Sequence, residues 1–162
     1  MTRKYLKKNL HFRPIQLADL PFLQTVYAST RTDVHNNRNL TKVQKEAFLH
    51  QQFFAQHSHY QTHYKAANFD IILLKRQAIG RFYVHRQKED IRLMDIALLP
   101  EYQNRSIGTF LVKNLLEEGK VANKTVSLHV EKTNPALKLY ERLGFKTKEV
   151  VGIRFLMEWK ED

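Results

Sequence analysis

The sequence predicts a mixed α/β sheet with helices packed on its faces. Three observations carry this expectation. Three strand-like runs, Phe69 to Leu74, Ile79 to His85 and Ile91 to Leu99, are separated only by short polar breaks, the pattern of antiparallel hairpins. Downstream, helical and strand periods alternate, as βαβ crossovers require. The chain has 162 residues, 43% of them hydrophobic, enough for a buried core and of a length that fits one domain over 1–162.

The elements follow in order. Residues 1–9 carry Arg3, Lys4, Lys7 and Lys8 with no acid, and are expected to form a mobile basic arm. Residues 10–17 read as a short first strand, with Pro14 suited to an edge. Asp19 offers an N-cap with Pro21 just inside the helix, and Leu20, Leu23, Val26 and Tyr27 follow at helical spacing. Ser29 to Leu40 has no period and reads as a loop. Thr41 and Gln44 make a capping box that starts a helix to about His57. After the three hairpin strands, Ile107, Phe110, Leu111 and Leu115 mark a helix over 106–119, and Thr125–Val130 a strand. Asn134 caps a further helix with Pro135 at its first position. Ala136, Leu139, Tyr140 and Leu143 form its apolar stripe, and Gly144 stops it. Phe145–Val151 and Ile153–Lys160 close the chain as two strands.

Composition excludes several classes. Cysteine is absent, so there is no disulfide, thiolate metal site or cysteine nucleophile. No apolar run approaches the length of a membrane span, and the N-terminus lacks the apolar stretch of a signal peptide. These features are read as a soluble cytoplasmic protein. Lys and Arg exceed Asp and Glu by 27 to 16, a net charge of +11. Such a surface attracts polyanions, among them nucleic acid and phosphorylated cofactors, and discourages polycationic substrates.

The most specific segment is LMDIALLPEYQNRSIGTFL, Leu93 to Leu111. A strand ends at Pro100, and a polar turn leads directly into an amphipathic helix. Such a turn presents unpaired N–H groups and the positive end of the helix dipole, a ready anion site. Gly108 lets a ligand approach the backbone and Arg105 adds charge. By geometry alone this is equally an ordinary strand-to-helix turn.

Residues Gln103-Asn104-Arg105-Ser106-Ile107-Gly108-Thr109 resemble the pyrophosphate-binding signature Q/R-x-x-G-x-G/A of the GNAT superfamily of N-acetyltransferases. Asn134-Pro135-Ala136 and Leu139 to Phe145 are similar to its second signature, N-x-A…Y-x-x-x-G-F. The element order agrees over nearly the whole chain. One position departs: the first signature glycine is Ser106, which a helix start accepts if its φ is negative, as a cap or as a hydroxyl donor to phosphate.

The resemblance implies a mostly antiparallel seven-stranded sheet, splayed near its middle, with helices on both faces. It implies acetyl-CoA as donor and a primary amine as acceptor, with direct attack and no metal. The pantetheine would pair with Ile96, Ala97 and Leu98, and a backbone N–H near Leu98 would polarise the thioester carbonyl. Gln103, Asn104, Arg105, Ser106, Ile107, Gly108, Thr109 and Asn134 would hold the cofactor. Tyr140 matches the tyrosine placed beside the CoA sulfur, although it also lies on the apolar stripe of its helix. A homodimer is compatible with this reading.

A protonated amine also needs a base. By alternation Leu93, Asp95, Ala97 and Leu99 share a face, which makes Asp95 an acid among apolar neighbours. It is the leading candidate, with a partnered structural acid as the alternative; His85 and Glu131 are weaker. His59 and His63 have i, i+4 spacing, with His50 and His57 nearby, but no acid joins them to make a metal site. In the loop 29–40, Arg31 reads first as a solvated loop arginine, with a role in holding a carboxylate as the alternative. The competing class is a non-catalytic basic module that binds nucleic acid on a degenerate acetyltransferase fold. It rests on the net charge and the N-terminal arm, and no nucleic-acid motif supports it.

Overall fold

The computed structural model describes all 162 residues. Seven strands form one sheet in the order β1-β2-β3-β4-β5-β7-β6. They are β1 (Leu10–Pro14), β2 (Asn68–Leu74), β3 (Gln77–Arg86), β4 (Asp90–Leu98), β5 (Thr125–Glu131), β6 (Lys146–Val151) and β7 (Arg154–Trp159). Every neighbouring pair is antiparallel except β4 and β5. Six helices cover the sheet: α1 (Arg3–Asn9), α2 (Leu20–Thr30), α3 (Thr32–His35), α4 (Lys42–His63), α5 (Ile107–Ala122) and α6 (Ala136–Arg142).

The helices divide between the two faces. Leu6 of α1, Ile107, Leu111 and Leu115 of α5 and Tyr140 of α6 join Ile72, Phe82, Val84 and Leu93 in one core. Leu23 of α2, Val34 of α3 and Phe53 of α4 join Ile71 in the other. Ile71 and Ile72 are adjacent on β2, so these cores lie on opposite faces. Gly80 lets β3 and β4 approach closely; a Cβ there would lie 2.2 Å from the Ala97 carbonyl oxygen.

Several expectations are corrected. Residues 1–9 are no mobile arm: Thr2 accepts from the Tyr5 N–H to cap α1, and Leu6 is only 1% exposed. The cationic side chains stay in water while Leu6, with Tyr5 packed beside it, docks the helix onto α5 and the sheet. The first strand stops at Pro14, because Gln16 opens a short 3-10 turn. Asp19 does not cap α2 with its side chain. Its carboxylate instead accepts from Arg13 at 2.7 and 2.8 Å and from the Gln16 N–H at 2.7 Å. The stretch 29–40 contains α3. The Thr41–Gln44 capping box forms as expected, but α4 runs on to His63, because Tyr60 packs against Phe69 and Tyr83.

Candidate active site

The site begins with an irregularity in β4. Tyr83 pairs with Asp95 while Val84 pairs with Leu93, so Met94 is an extra residue, a bulge. One inserted residue reverses the alternation. Leu93 faces the α5 core with Val84, whereas Asp95 and Ala97 face α4 with Tyr83 and Arg81. The expected shared face of Leu93 and Asp95 is therefore corrected.

The same strand leaves its neighbour. β4 and β5 pair only from Asp90–Thr125 to Leu93–Leu128, and beyond that the sheet opens. The Leu99 N–H donates to the Ile79 carbonyl at 2.9 Å, which sets the phase of the β3–β4 ladder. Ala97 then turns its peptide groups to β3, and Ile96 and Leu98 turn theirs into the gap. Ala97 is thus removed from the backbone groups available to a ligand. The Leu98 carbonyl accepts from Gln103 Nε2 at 3.0 Å, which commits the Gln103 amide to bracing the turn.

The turn leads to the N-terminus of α5. From Asn104 to Thr109 no backbone N–H finds a protein acceptor. Asn104 and Ser106 have φ of +58° and +67°, so the backbone curls its N–H groups toward one side. The condition on which a helix start would accept serine without cost, a negative φ, is therefore not met at Ser106. A serine there bears roughly 1 kcal/mol of steric cost that glycine would avoid, and its side chain makes no capping hydrogen bond. A Cβ on Gly108 would meet nothing within 4 Å, so the helix start is open. Arg105 lies 5.8 Å from the Tyr102 ring, exposed and in no ion pair. Free donors, a helix dipole and an open approach fit a diphosphate.

This gap, its row of free donors and the second signature lie inside one family match. Residues 32–145 match the acetyltransferase (GNAT) family. The chain belongs to the GNAT family. PaiA N-acetyltransferase from Thermoplasma acidophilum, solved in complex with coenzyme A, has the same fold, with TM-score 0.66 and 22% identity over 94% of this chain and 99% of that one. A GNAT family acetyltransferase from Elizabethkingia anophelis with acetyl-CoA bound gives TM-score 0.62 at 15% identity, covering 94% and 99% of the two chains. Cysteine-rich protein 2-binding protein of Mus musculus is 33% identical over 87 residues, 52% of this chain but 11% of that protein.

Within the GNAT frame, α6 stands beside the gap. Asn134 Oδ1 accepts from the Ala136 N–H at 2.9 Å and caps α6, which leaves Asn134 Nδ2 free of protein partners. Pro135, expected at the first helical position, directly precedes the helix instead, so α6 starts one residue later than expected. Tyr140 is 7% exposed and packs edge-on to Phe145 at 5.7 Å. Burial first, and then the charge of Asp95, push its hydroxyl pKa up to about 12.

On the other face, Arg81 is 3% exposed. Its Nη2 donates to Asp95 Oδ2 at 2.6 Å and to Gln56 Oε1 at 2.9 Å. Burial lowers the guanidinium pKa, but Asp95 and the nearby tyrosines outweigh it, and the net shift is upward. Asp95 is therefore a partnered carboxylate, and its Oδ1 has no protein hydrogen bond. Arg81 Nε and the Tyr83 hydroxyl are buried without hydrogen-bond partners, and the guanidinium carbon lies 5.0 Å from the centre of the Tyr83 ring. Burial pushes Tyr60 and Tyr83 up to about 12 as well. Burial, with help from Arg81, lowers the pKa of His57.

Arg81, Tyr83 and Gln56 were not anticipated. The available signal was an arginine inside the otherwise apolar run Ile79 to Val84. His85 lies on the far side of the bulge from Asp95, edge-on to Tyr64, and is not brought to the gap. Glu131 ends β5 on the Asp95 face but is exposed. Arg31 is committed to Asp33 at 3.0 and 2.9 Å and to the Tyr27 hydroxyl at 2.7 Å, so it is not free for a substrate carboxylate. His59 and His63 sit a turn apart on α4 with ring centres 4.5 Å apart. No helix is long and apolar enough to cross a membrane.

Proposed function

We propose that the protein transfers an acetyl group from acetyl-CoA to a primary amine by direct attack. One observation carries the reading: β4 parts from β5 beyond Leu93–Leu128, which frees the Ile96 and Leu98 peptide groups on the strand that leads to the free N–H row Asn104–Thr109. Acetyl-CoA supplies the activated acetyl group. The N–H groups of 104–109 and Arg105 hold its diphosphate. The free edge of β4 pairs with the pantetheine amides, and Asn134 Nδ2 adds a donor. The amine nitrogen bonds to the acetyl carbon, and the Leu98 N–H donates to the carbonyl oxygen as it gains charge. The bond to sulfur then breaks, and the Tyr140 hydroxyl donates a hydrogen bond to the leaving thiolate.

Tyr140 acts by donating rather than by giving up its proton. A hydroxyl pKa of about 12 lies roughly 3.5 units above that of an ordinary thiol, so full transfer is uphill by about 5 kcal/mol. Asp95 Oδ1 receives the proton of the attacking amine, directly or through one water. Arg81 orients that carboxylate through its 2.6 Å bond to Oδ2, which makes Arg81 a positioning residue. The thin supply of acids before residue 60, namely Asp19, Asp33 and Glu46, favours amino-acid-like or peptide amines over polyamines. Two of those three are already paired with Arg13 and Arg31.

Isothermal titration with acetyl-CoA, followed by CoA-release assays over an amine panel, tests this. Micromolar binding and turnover of neutral or anionic amines are expected. No acetyl-CoA binding, together with salt-sensitive RNA binding, would return the chain to the basic-module reading, which rests on its net charge of +11.

A further inference from the structure

α1 presents cations on two sides. Met1 and Arg3 face the start of α5. Lys4 and Lys8, one turn apart, line a separate groove of about 390 Å³ with Tyr5, Asn9 and Lys75. Lys75 belongs to the turn between β2 and β3. Its N–H donates to the Asn9 carbonyl at 3.0 Å, and its ammonium lies 5.4 Å from the centre of the Tyr5 ring. The turn is thereby fixed against the end of α1, and three lysines from two elements are held around one groove.

The turn itself is unusual. Lys75 and Arg76 have φ of +48° and +71°. A two-residue hairpin turn of this kind is ordinarily built from Asn and Gly. Here both positions carry long cations, and both are exposed. Lys7 adds another exposed charge from α1. None of Lys4, Lys7, Lys8, Lys75 and Arg76 forms an ion pair, and no acid lines the groove. The first acid of the chain is Asp19, which Arg13 holds. Five like charges gathered in this way repel one another, and a polyanion relieves that repulsion.

The surroundings choose among polyanions. Leu6, the one aliphatic residue of α1, is buried, so the basic helix has no apolar side chain left to enter a bilayer. The groove is lined by ammonium groups, point charges without the planar fork that matches a single carboxylate. They suit a strand that carries a charge at every unit. The Tyr5 ring is half-buried and covered by Lys75, so it is not free to stack a base. We propose that the groove between α1 and the β2–β3 turn binds the phosphate backbone of a nucleic-acid strand, with Lys4, Lys8 and Lys75 on the phosphates. Lys7 and Arg76 extend the track, and sequence is not read. The groove lies apart from the gap between β4 and β5, and the proposal does not rest on acetyl transfer.

The test is fluorescence anisotropy of the full chain with labelled single-stranded RNAs of mixed and of uridine-only sequence. Wild type is expected to bind both alike, with affinity falling at least about tenfold between about 50 and 200 mM salt. The triple variant Lys4→Gln, Lys8→Gln, Lys75→Gln, all at exposed positions, is expected to bind about tenfold more weakly at the lower salt. Its slope of log affinity against log salt should be shallower by about 2, the share of three phosphate contacts. A second triple variant, Lys42→Gln, Lys65→Gln, Lys160→Gln, has the same net charge and leaves the groove intact; it should retain most of the affinity. Saturating acetyl-CoA should not displace the RNA. Absence of salt-sensitive RNA binding, equal weakening in the two variants, displacement by acetyl-CoA, or tighter binding to phosphatidylserine vesicles or polyglutamate than to RNA would overturn the proposal. Failure of wild type to bind acetyl-CoA would overturn the acetyl-transfer reading alone.

Discussion

The loop Asn104–Thr109 and the Arg81–Asp95 cluster flank one gap and are built in opposite ways. The loop offers consecutive backbone N–H groups, open to solvent and without partners. The cluster joins side chains of β3, β4 and α4, with Arg81 buried and Asp95 and Gln56 half-buried, tied by bonds of 2.6 and 2.9 Å. A backbone site tolerates most side-chain changes as long as φ and ψ are kept. A buried charge network does not, because each member is the compensation for another's lost hydration. Substitutions should therefore separate stability, which the cluster is expected to govern, from acetyl-CoA affinity, which the proposed function assigns to the loop.

The largest effect is expected at the cluster. Arg81→Ala leaves Asp95 without its cation between sheet and helix, and should lower the unfolding free energy by about 3–5 kcal/mol in urea denaturation. A loss below about 1 kcal/mol would mean that water replaces the guanidinium, and the contrast with the loop would fail.

Alkaline titration sharpens the comparison on the α6 side of the gap. Tyr140 has its ordinary pKa of 10.0 when unfolded and about 12 when folded. Its raised pKa leaves stability intact below pH 10 and removes it as pH climbs toward 12, since the unfolded tyrosine ionises first. Between those limits wild type should lose roughly 2–3 kcal/mol more than Tyr140→Phe. Parallel losses in the two proteins would place the hydroxyl in water.

The same substitution tests chemistry. Tyr140→Phe should lower kcat about tenfold, near 1.4 kcal/mol, with little change in acetyl-CoA affinity, because the hydroxyl meets charge that appears only as the thioester breaks. An unchanged kcat would leave Tyr140 as a core residue only.

The smallest effect is expected in the loop. Ser106→Gly relieves a positive φ but adds freedom to the unfolded chain, so stability should rise by about 0.5 kcal/mol or less. Acetyl-CoA affinity should rise modestly with it. Ser106→Val, branched at Cβ in the left-handed region, should reduce affinity while sparing most of the stability. Equal responses to Gly and Val would show that the curl at 106 is unnecessary.

Local signals in the sequence determined much of this protein. The Thr41–Gln44 box, the Asn134 cap, the α6 stripe and the 103–109 turn depend on residues within a few positions of each other, so composition and spacing express them directly. The seven strands follow from period and turn residues, and the two signatures point to the GNAT fold. Tertiary structure alone decided the rest. The Met94 bulge leaves no mark in composition, because it is defined by which residue of β3 pairs with which of β4, yet it moves Asp95 to the opposite face. The position of α1 depends on Leu6, with Tyr5 beside it, finding a site between α5 and the sheet, while its cations pattern like those of a solvated arm. The left-handed conformation of Ser106 is imposed by the turn that must reach α5. The Arg81–Asp95–Gln56 contact joins residues far apart in the chain, and only the folded sheet brings their charges within hydrogen-bond range.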